Sequence, residues 1–257
     1  MLHTFRFTSS DLCYTIKSMN DKKHKHIDPE KMDRPFHEIS MSRIEMQSAI
    51  TERVDRISKE FNKAFEFIKN YPRSVTFFGS ARFRHASDHY EDAVRLAERI
   101  SKELQYTVLT GGGGGIMEAA NKGAFNAGGE SVGLNIKLPT EQQENEYVTD
   151  IMEFYYFFTR KVALSFAAEA YVFFPGGFGT LDEFFEIVTL IQTRKIPQVP
   201  VILHGEDFWK PLNEFIRENM FEKHGAISQE DMLLYHITED EDEIIDIIRS
   251  APIRQTG

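Results

Sequence analysis

Glu183 is the residue whose surroundings most suggest chemistry. It closes the stretch Pro175-Gly176-Gly177-Phe178-Gly179-Thr180-Leu181-Asp182-Glu183, which follows the apolar run Tyr171 to Phe174. This order reads as a buried strand, a glycine-rich turn and the opening of a helix. Gly176, Gly177 and Gly179 can reach backbone angles closed to other residues. The unpaired N–H groups and positive dipole end of the helix suit a phosphate, and Thr180 adds a hydroxyl. Glu183 then lies about one helical turn from the phosphate position. A phosphate cradle beside a carboxylate points to a reaction on a nucleotide rather than to binding alone. On the residues alone, Glu183 has an alternative role in stabilising the helix N-terminus. Asp182 and Glu186 are close enough in sequence to share the carboxylate role; helical spacing puts Glu186 on the Glu183 face and points Asp182 elsewhere.

A second loop has the same order. The β-like run Tyr106 to Leu109 leads into Thr110 and five consecutive glycines, Gly111 to Gly115, and then into the helix-forming stretch from Ile116 to Ala127. Five glycines leave no Cβ atoms in the way of a ligand. Two strand–loop–helix units in one sheet would both open at the carboxyl ends of strands, where open α/β sheets place their ligands. Neither loop is a familiar nucleotide motif. The first does not complete G-x-G-x-x-G, because Ile116 or Glu118 stands where the last glycine belongs, and neither contains G-K-[ST]. A nicotinamide-linked oxidoreductase and a P-loop enzyme are therefore disfavoured.

At these residues the chain resembles the LOG family, cytokinin-activating phosphoribohydrolases with many bacterial relatives. The longer relatives pair a G-G-G-x-G-[IV]-M-E-A loop with P-G-G-x-G-T-x-x-E, and an Arg-Lys pair lies between them. Here the first is Gly111 to Ala119 with Gly114 at the variable place, the second runs without departure from Pro175 to Glu183, and the pair is Arg160-Lys161. The resemblance implies hydrolysis of the N-glycosidic bond of a nucleoside 5′-monophosphate, AMP or a cytokinin riboside monophosphate, giving free base and ribose 5-phosphate. It assigns Glu183 and Arg160 as catalytic. The candidate substrate contacts are Gly79, Ser80, Arg82, Gly111, Gly112, Gly113, Gly114, Gly115, Met117, Glu118, Lys161, Gly176, Gly177, Gly179 and Thr180. It also implies a homodimer or larger homo-oligomer. Relatives often carry a lysine decarboxylase label, but no lysine here stands in a context that marks a pyridoxal phosphate site. Short plant-type members have a glutamate just before the Arg-Lys pair, where this chain has Thr159. With the segment Asn135 to Glu141 and the N-terminal extension, this resembles the longer bacterial relatives and leaves the base open. A nucleotide-binding regulatory protein with little turnover is the alternative reading.

The rest of the chain has to position these loops. Its 257 residues suffice for one large α/β domain, and 41% hydrophobic and 27% charged residues are ordinary for a globular protein. The 22 phenylalanines predict an aromatic-rich core or interface. A net charge of −10 argues against nucleic-acid binding. One cysteine, Cys13, excludes an internal disulfide and fits a reducing, cytoplasmic setting. No apolar run is long enough for a membrane span. No metal or other cofactor is required by the chemistry.

Residues 1–38 read as a flexible arm whose His24, His26 and His37 lack companion ligands, and Met19 leaves a later start open. Residues 39–70 read as a helix covering the core, with Met46, Ile50, Val54, Ile57, Phe61, Phe65 and Ile68 three or four apart. Residues 71–250 read as an α/β domain: a doubly wound, Rossmann-like, mostly parallel sheet with helices on both faces. Strands are expected at 74–78, 106–109, 131–136, 151–155, 171–174 and 199–203, the last clear one. Helices are expected at 90–104, 116–127, 157–168 and 181–192. The turn at Gly79-Ser80-Ala81-Arg82 faces the ligand in such a sheet. Arg82 is then a contact to phosphate or base, with a surface ion pair as the alternative. Acidic Glu239 to Glu243 read as a solvated cap on a terminal helix.

Overall fold

A computed structural model describes residues 43–137 and 144–252. The expected arm, Cys13, Met19 and the residues Leu138 to Glu141 lie outside them. The chain divides into two compact units, residues 1–47 and 48–257. The sheet and the candidate site belong to the second.

Seven strands run parallel: β1 Ser74–Phe78, β2 Thr107–Thr110, β3 Ser131–Ile136, β4 Asp150–Phe154, β5 Ala170–Phe173, β6 Val201–Leu203 and β7 His236–Ile237. Their order is β4-β3-β2-β1-β5-β6-β7. Every residue of β1, β2, β3, β5 and β6 is buried. That is the pattern of strands covered on both faces. On one face α2 (Asp88–Arg99), α3 (Ile116–Asn126) and α7 (Glu241–Ser250) pack over Val75, Phe77, Val108 and Val172. On the other, the end of α1 (Arg43–Ile68), α4 (Phe157–Phe166), α5 (Phe178–Gln192) and α6 (Glu206–Phe215) pack over Leu109, Leu134, Tyr171 and Phe173. The doubly wound parallel sheet expected from the sequence is the fold.

Three expectations change. The helix after β1 ends at Arg99 and continues as a π-helical turn over Ile100–Leu104, closed by Gln105 in a left-handed conformation. Leu203 is not the end of the sheet. α6, a π-helical continuation over Ile216–Lys223 and the two-residue β7 follow it. The stripe on α1 covers the core only near its end. Ala64 is buried, but Ile50 and Val54 are about half exposed, and Phe65 is 42% exposed.

The strand order fixes where a ligand can sit. From β1 the chain winds outward through β2, β3 and β4, then returns to place β5 on the other side of β1. The carboxyl ends of β1 and β5 therefore flank the switch point, where connecting loops diverge and leave a crevice. Their loops are Gly79 to Ser87 and Phe174 to Gly177, and the five-glycine loop lies next along the edge.

Candidate functional site

Backbone hydrogen bonds join the three loops. Ser80 N–H donates to the Pro175 carbonyl at 3.0 Å, and Ile116 N–H donates to the Ser80 carbonyl at 3.0 Å. The second contact brings the backbones so close that a Cβ at Gly115 would overlap the Ser80 carbonyl oxygen and lie 2.7 Å from Ala81 Cα. Gly115 also has φ +72°, a conformation that suits glycine. The glycine run is therefore used largely by the protein itself, with Gly111, Gly112, Gly113 and Gly115 all buried and only Gly114 half-buried. Below it, Thr110 Oγ1, Asn121, Ser131 and Asn145 form a buried polar network. Asn145 Nδ2 donates to the Gly113 carbonyl at 3.0 Å and to Asn121 Oδ1 at 2.9 Å. This network fixes the loop's shape from beneath.

The signature loop is more open. Pro175 is buried, Gly176 half-buried, and Gly177, Phe178 and Gly179 exposed. None of these glycines has positive φ, so the expected left-handed angles are not used there. Gly176 is explained by closeness, since a Cβ would overlap Thr180 Oγ1. At Gly177 and Gly179 a Cβ would meet nothing within 4 Å. These two face open space at the N-terminus of α5, where the first N–H groups have no partner within the helix. A helix N-terminus open in this way has the donors to accept an anion.

One turn into α5, Glu183 is half-buried, and its Oε2 is buried without a hydrogen-bond partner. Burial pushes its carboxyl up from the usual value near 4.5 to about 7. Lys161 and Arg160 oppose that rise, while Glu186 and Asp182 add to it. Arg160 comes from the first turn of α4. Its Nε donates to the Leu134 carbonyl at 2.6 Å, and its guanidinium lies against Gly111. Burial lowers its pKa, with Glu183 opposing. Its terminal nitrogens make no hydrogen bond or ion pair among the described residues, so their four N–H donors remain for an anionic ligand.

Lys161 is already engaged. Its Nζ lies 2.8 Å from Asp182 Oδ2 and 2.9 Å from Glu186 Oε2, tying α4 to α5, and these partners hold its pKa up at about 12 against the effect of burial. Asp182, expected to point away, thus shares this ammonium with Glu186, and Glu183 is left as the carboxylate without a counter-ion in contact. Glu118 is held by the Tyr90 hydroxyl at 2.9 Å and by His85 Nε2 at 3.3 Å. Met117 Sδ packs beside Gly111, and a Cβ on Gly79 would crowd Ile116. Arg82 is exposed and has no ion pair among the described residues.

One positioning residue gave no local signal. Glu60 on α1 accepts from the backbone N–H groups of Tyr155 at 2.6 Å and Tyr156 at 3.3 Å, and from the Thr159 hydroxyl. It caps the start of α4, where Arg160 sits. In the sequence it is one charge within a helical stripe.

The fold and the site together define a doubly wound α/β protein with an open helix N-terminus beside a half-buried carboxylate and a buried guanidinium. The chain belongs to the LOG family, whose sequence model is described as possible lysine decarboxylase and matches residues 117–248. A relative from Oryza sativa subsp. japonica, named cytokinin riboside 5′-monophosphate phosphoribohydrolase, is 29% identical over 163 residues, 62% of this chain and 65% of that protein. The match thus spans just under two thirds of that relative's length. Proteins of the same enzyme name are 30% identical over 155 residues in Arabidopsis thaliana, 59% of this chain and 71% of the relative, and 26% identical over 147 residues in Rhodococcoides fascians, 56% and 74%. Among solved structures, the molybdenum cofactor binding protein of Rippkaea orientalis superposes with a TM-score of 0.53 at 21% identity, covering 69% of this chain and 96% of that one. The molybdenum cofactor carrier protein of Chlamydomonas reinhardtii gives 0.51 at 22%, with the same coverage. These two likenesses concern the fold. No described helix is long and apolar enough to cross a membrane.

Proposed function

We propose that this protein hydrolyses the N-glycosidic bond of a nucleoside 5′-monophosphate, releasing the base and ribose 5-phosphate. The observation that carries the reading is the Glu183 carboxyl, with one buried oxygen unpartnered and its pKa raised to about 7, one turn from the open N-terminus of α5. The 5′-phosphate sits on the N–H groups at Gly177, Gly179 and Thr180, with the Gly111–Gly115 loop beside it and Arg160 supplying positive charge. Its binding energy holds the sugar in place for attack. The bond from C1′ to the base breaks with its electron pair leaving on the base nitrogen, and positive charge develops on the ribose. Ionised Glu183 stabilises that charge and takes a proton from water as the water oxygen bonds to C1′. The proton is returned to the departing base, so no metal or redox group enters the balance. The names of the relatives support this substrate class. Thr159 before the Arg-Lys pair keeps AMP and other purine monophosphates beside cytokinin nucleotides as substrates.

The test is incubation of the purified protein with AMP and a panel of nucleoside monophosphates, with free base and ribose 5-phosphate followed by chromatography. Release by the wild type that is lost in Glu183→Gln and Arg160→Ala, with the fold intact, is the expected result. Wild-type turnover in either variant overturns the assigned roles. Nucleotide binding without release from any monophosphate transfers the reading to a regulatory nucleotide-binding protein.

A further inference from the structure

We propose that His89, Asp92 and His204 bind one divalent metal ion of the zinc class. His89 and Asp92 are three apart on α2 and so share a face, while His204 directly follows β6. One ligand atom from each lies within 4.8 Å of the others. His204 is 4% exposed, stacked on Phe174 with ring centroids 4.4 Å apart, and its Nδ1 is buried without a hydrogen-bond partner. The nearby Trp209 indole donates to the His204 carbonyl, not to the ring. An orphaned buried ring nitrogen calls for a partner from outside the chain. His89 and Asp92 are half-buried and can rotate to the 2.0–2.2 Å bonds that zinc makes.

The surroundings favour a cation. The cavity, about 350 Å³, is lined by these three residues with Asp88, Glu239, Glu241 and Arg95. Arg95 is the only Lys or Arg among them. It pairs with Oδ1 of Asp92 and with Glu241, leaving the second Asp92 oxygen available. Two imidazoles and a carboxylate suit Zn²⁺ or Co²⁺ rather than Mg²⁺ or Ca²⁺, with a fourth position left for water or an acidic neighbour.

The site also borders the signature loop. Gly205, at φ +102°, lies between them: a Cβ there would be 2.8 Å from Pro175 Cγ and 3.4 Å from His89 Cε1. A bound ion would tie α2 to the end of β6 and brace Pro175 from the side. The inference does not depend on the reaction proposed above.

The experiment uses the full chain stripped with a chelator, titrated with Co²⁺ and followed by its visible absorption, with Zn²⁺ in equilibrium dialysis. The expected result is one equivalent of either ion and a higher Tm with Zn²⁺. His89→Ala and Asp92→Asn each weaken binding at least tenfold while circular dichroism is unchanged. A variant with His24, His26 and His37 all changed to alanine keeps the site. Failure of the folded wild type to bind one equivalent overturns the proposal. So does unchanged binding in His89→Ala combined with Asp92→Asn, or loss of binding in the triple histidine variant.

Discussion

The Arg160 guanidinium occupies the space that any side chain at Gly111 would need. A Cβ on Gly111 would overlap Arg160 Nη2 and lie 2.7 Å from Met117 Sδ. Both obstacles are the far ends of flexible side chains, so Gly111→Ala is expected to fold and to displace Arg160. A shift of about 1 Å in a positioning group can cost on the order of 100-fold in rate. Base release should therefore fall by roughly 10- to 100-fold, while stability changes by about 1 kcal/mol. Gly115→Ala should behave in the opposite way. Its Cβ meets backbone at Ser80 and Ala81, and its φ of +72° suits glycine, so a loss of about 3 kcal/mol or more is expected. Denaturant melts beside initial rates check the pair. Near wild-type activity in Gly111→Ala would remove Arg160 from the reaction.

The raised pKa of Glu183 predicts a pH dependence in both rate and stability. If the ionised carboxylate acts, kcat/KM rises with pH and levels off above about 7. The stability effect has the reverse sense. The folded protein holds this proton more tightly than the unfolded chain, whose carboxyl titrates near 4.5. The advantage is fully present below that value, declines as pH rises toward about 7, and is absent above. At about 1.4 kcal/mol per pKa unit, the change reaches about 3 kcal/mol. Glu183→Gln should remove this decline, so the inactive variant should be more stable than the wild type at pH 8 and similar at pH 4. Melts of both proteins from pH 4 to 8 make the comparison, and parallel curves would show that burial of Glu183 has little energetic effect.

Lys161 gives a way to move that limb without touching Glu183. It is the largest of the influences lowering the Glu183 pKa, and it also neutralises Asp182 and Glu186. In Lys161→Met the pKa of Glu183 should rise, and the pH–rate limb should shift above 7. Activity is then reduced at neutral pH and regained in more alkaline buffer. A uniform loss at every pH would point to direct contact between Lys161 and substrate instead.

These charge relationships mark the boundary of what could be read from the chain. β1 and β3 were legible because Ser74 to Phe78 and Ser131 to Ile136 are strand-length stretches whose Val, Phe, Leu and Ile residues recur among small or polar ones, and the loops were legible because glycines and helix formers follow strands. β7 was not, because two residues carry no periodicity and pair only once β6 is present. Glu183 and Arg160 were singled out through motif and resemblance. Which carboxylate keeps its charge unpaired was decided by tertiary placement, as Lys161 reaches across from α4 to Asp182 and Glu186. Glu239 and Glu241 looked like a solvated cap. In the structure only Asp240 caps α7, while Glu239 accepts from Glu206 N–H and Glu241 pairs with Arg95 and Arg99.

Glu60 tests whether α4 must be held for Arg160 to work. Its carboxylate accepts two backbone N–H groups and one hydroxyl at the positive end of that helix. Glu60→Ala leaves those donors without it, at an expected cost of about 1–3 kcal/mol. Because Arg160 lies in the first turn, base release should fall more than the stability change alone explains. Glu60→Gln, which keeps an acceptor oxygen, should recover part of both. An Ala variant destabilised to this extent but fully active at low temperature would confine Glu60 to stability.

The exposed aromatic residues bear on self-association, which we propose as a homodimer. Phe65 on α1 packs edge-on against Phe166 on α4 at 5.9 Å, and Phe61 meets Phe158 at 6.3 Å. Yet Phe65, Phe158 and Phe166 remain 42–45% exposed, and Phe157 beside them is 59% exposed. Apolar surface shared by two helices is expensive to leave in water and suits a second copy of the same face. Light scattering should give the mass of a dimer for the wild type. Phe65→Glu with Phe166→Glu should give a monomer that keeps its circular dichroism, because neither side chain lies in the buried core. A monomeric wild type at micromolar concentration would remove self-association as the reason for this face.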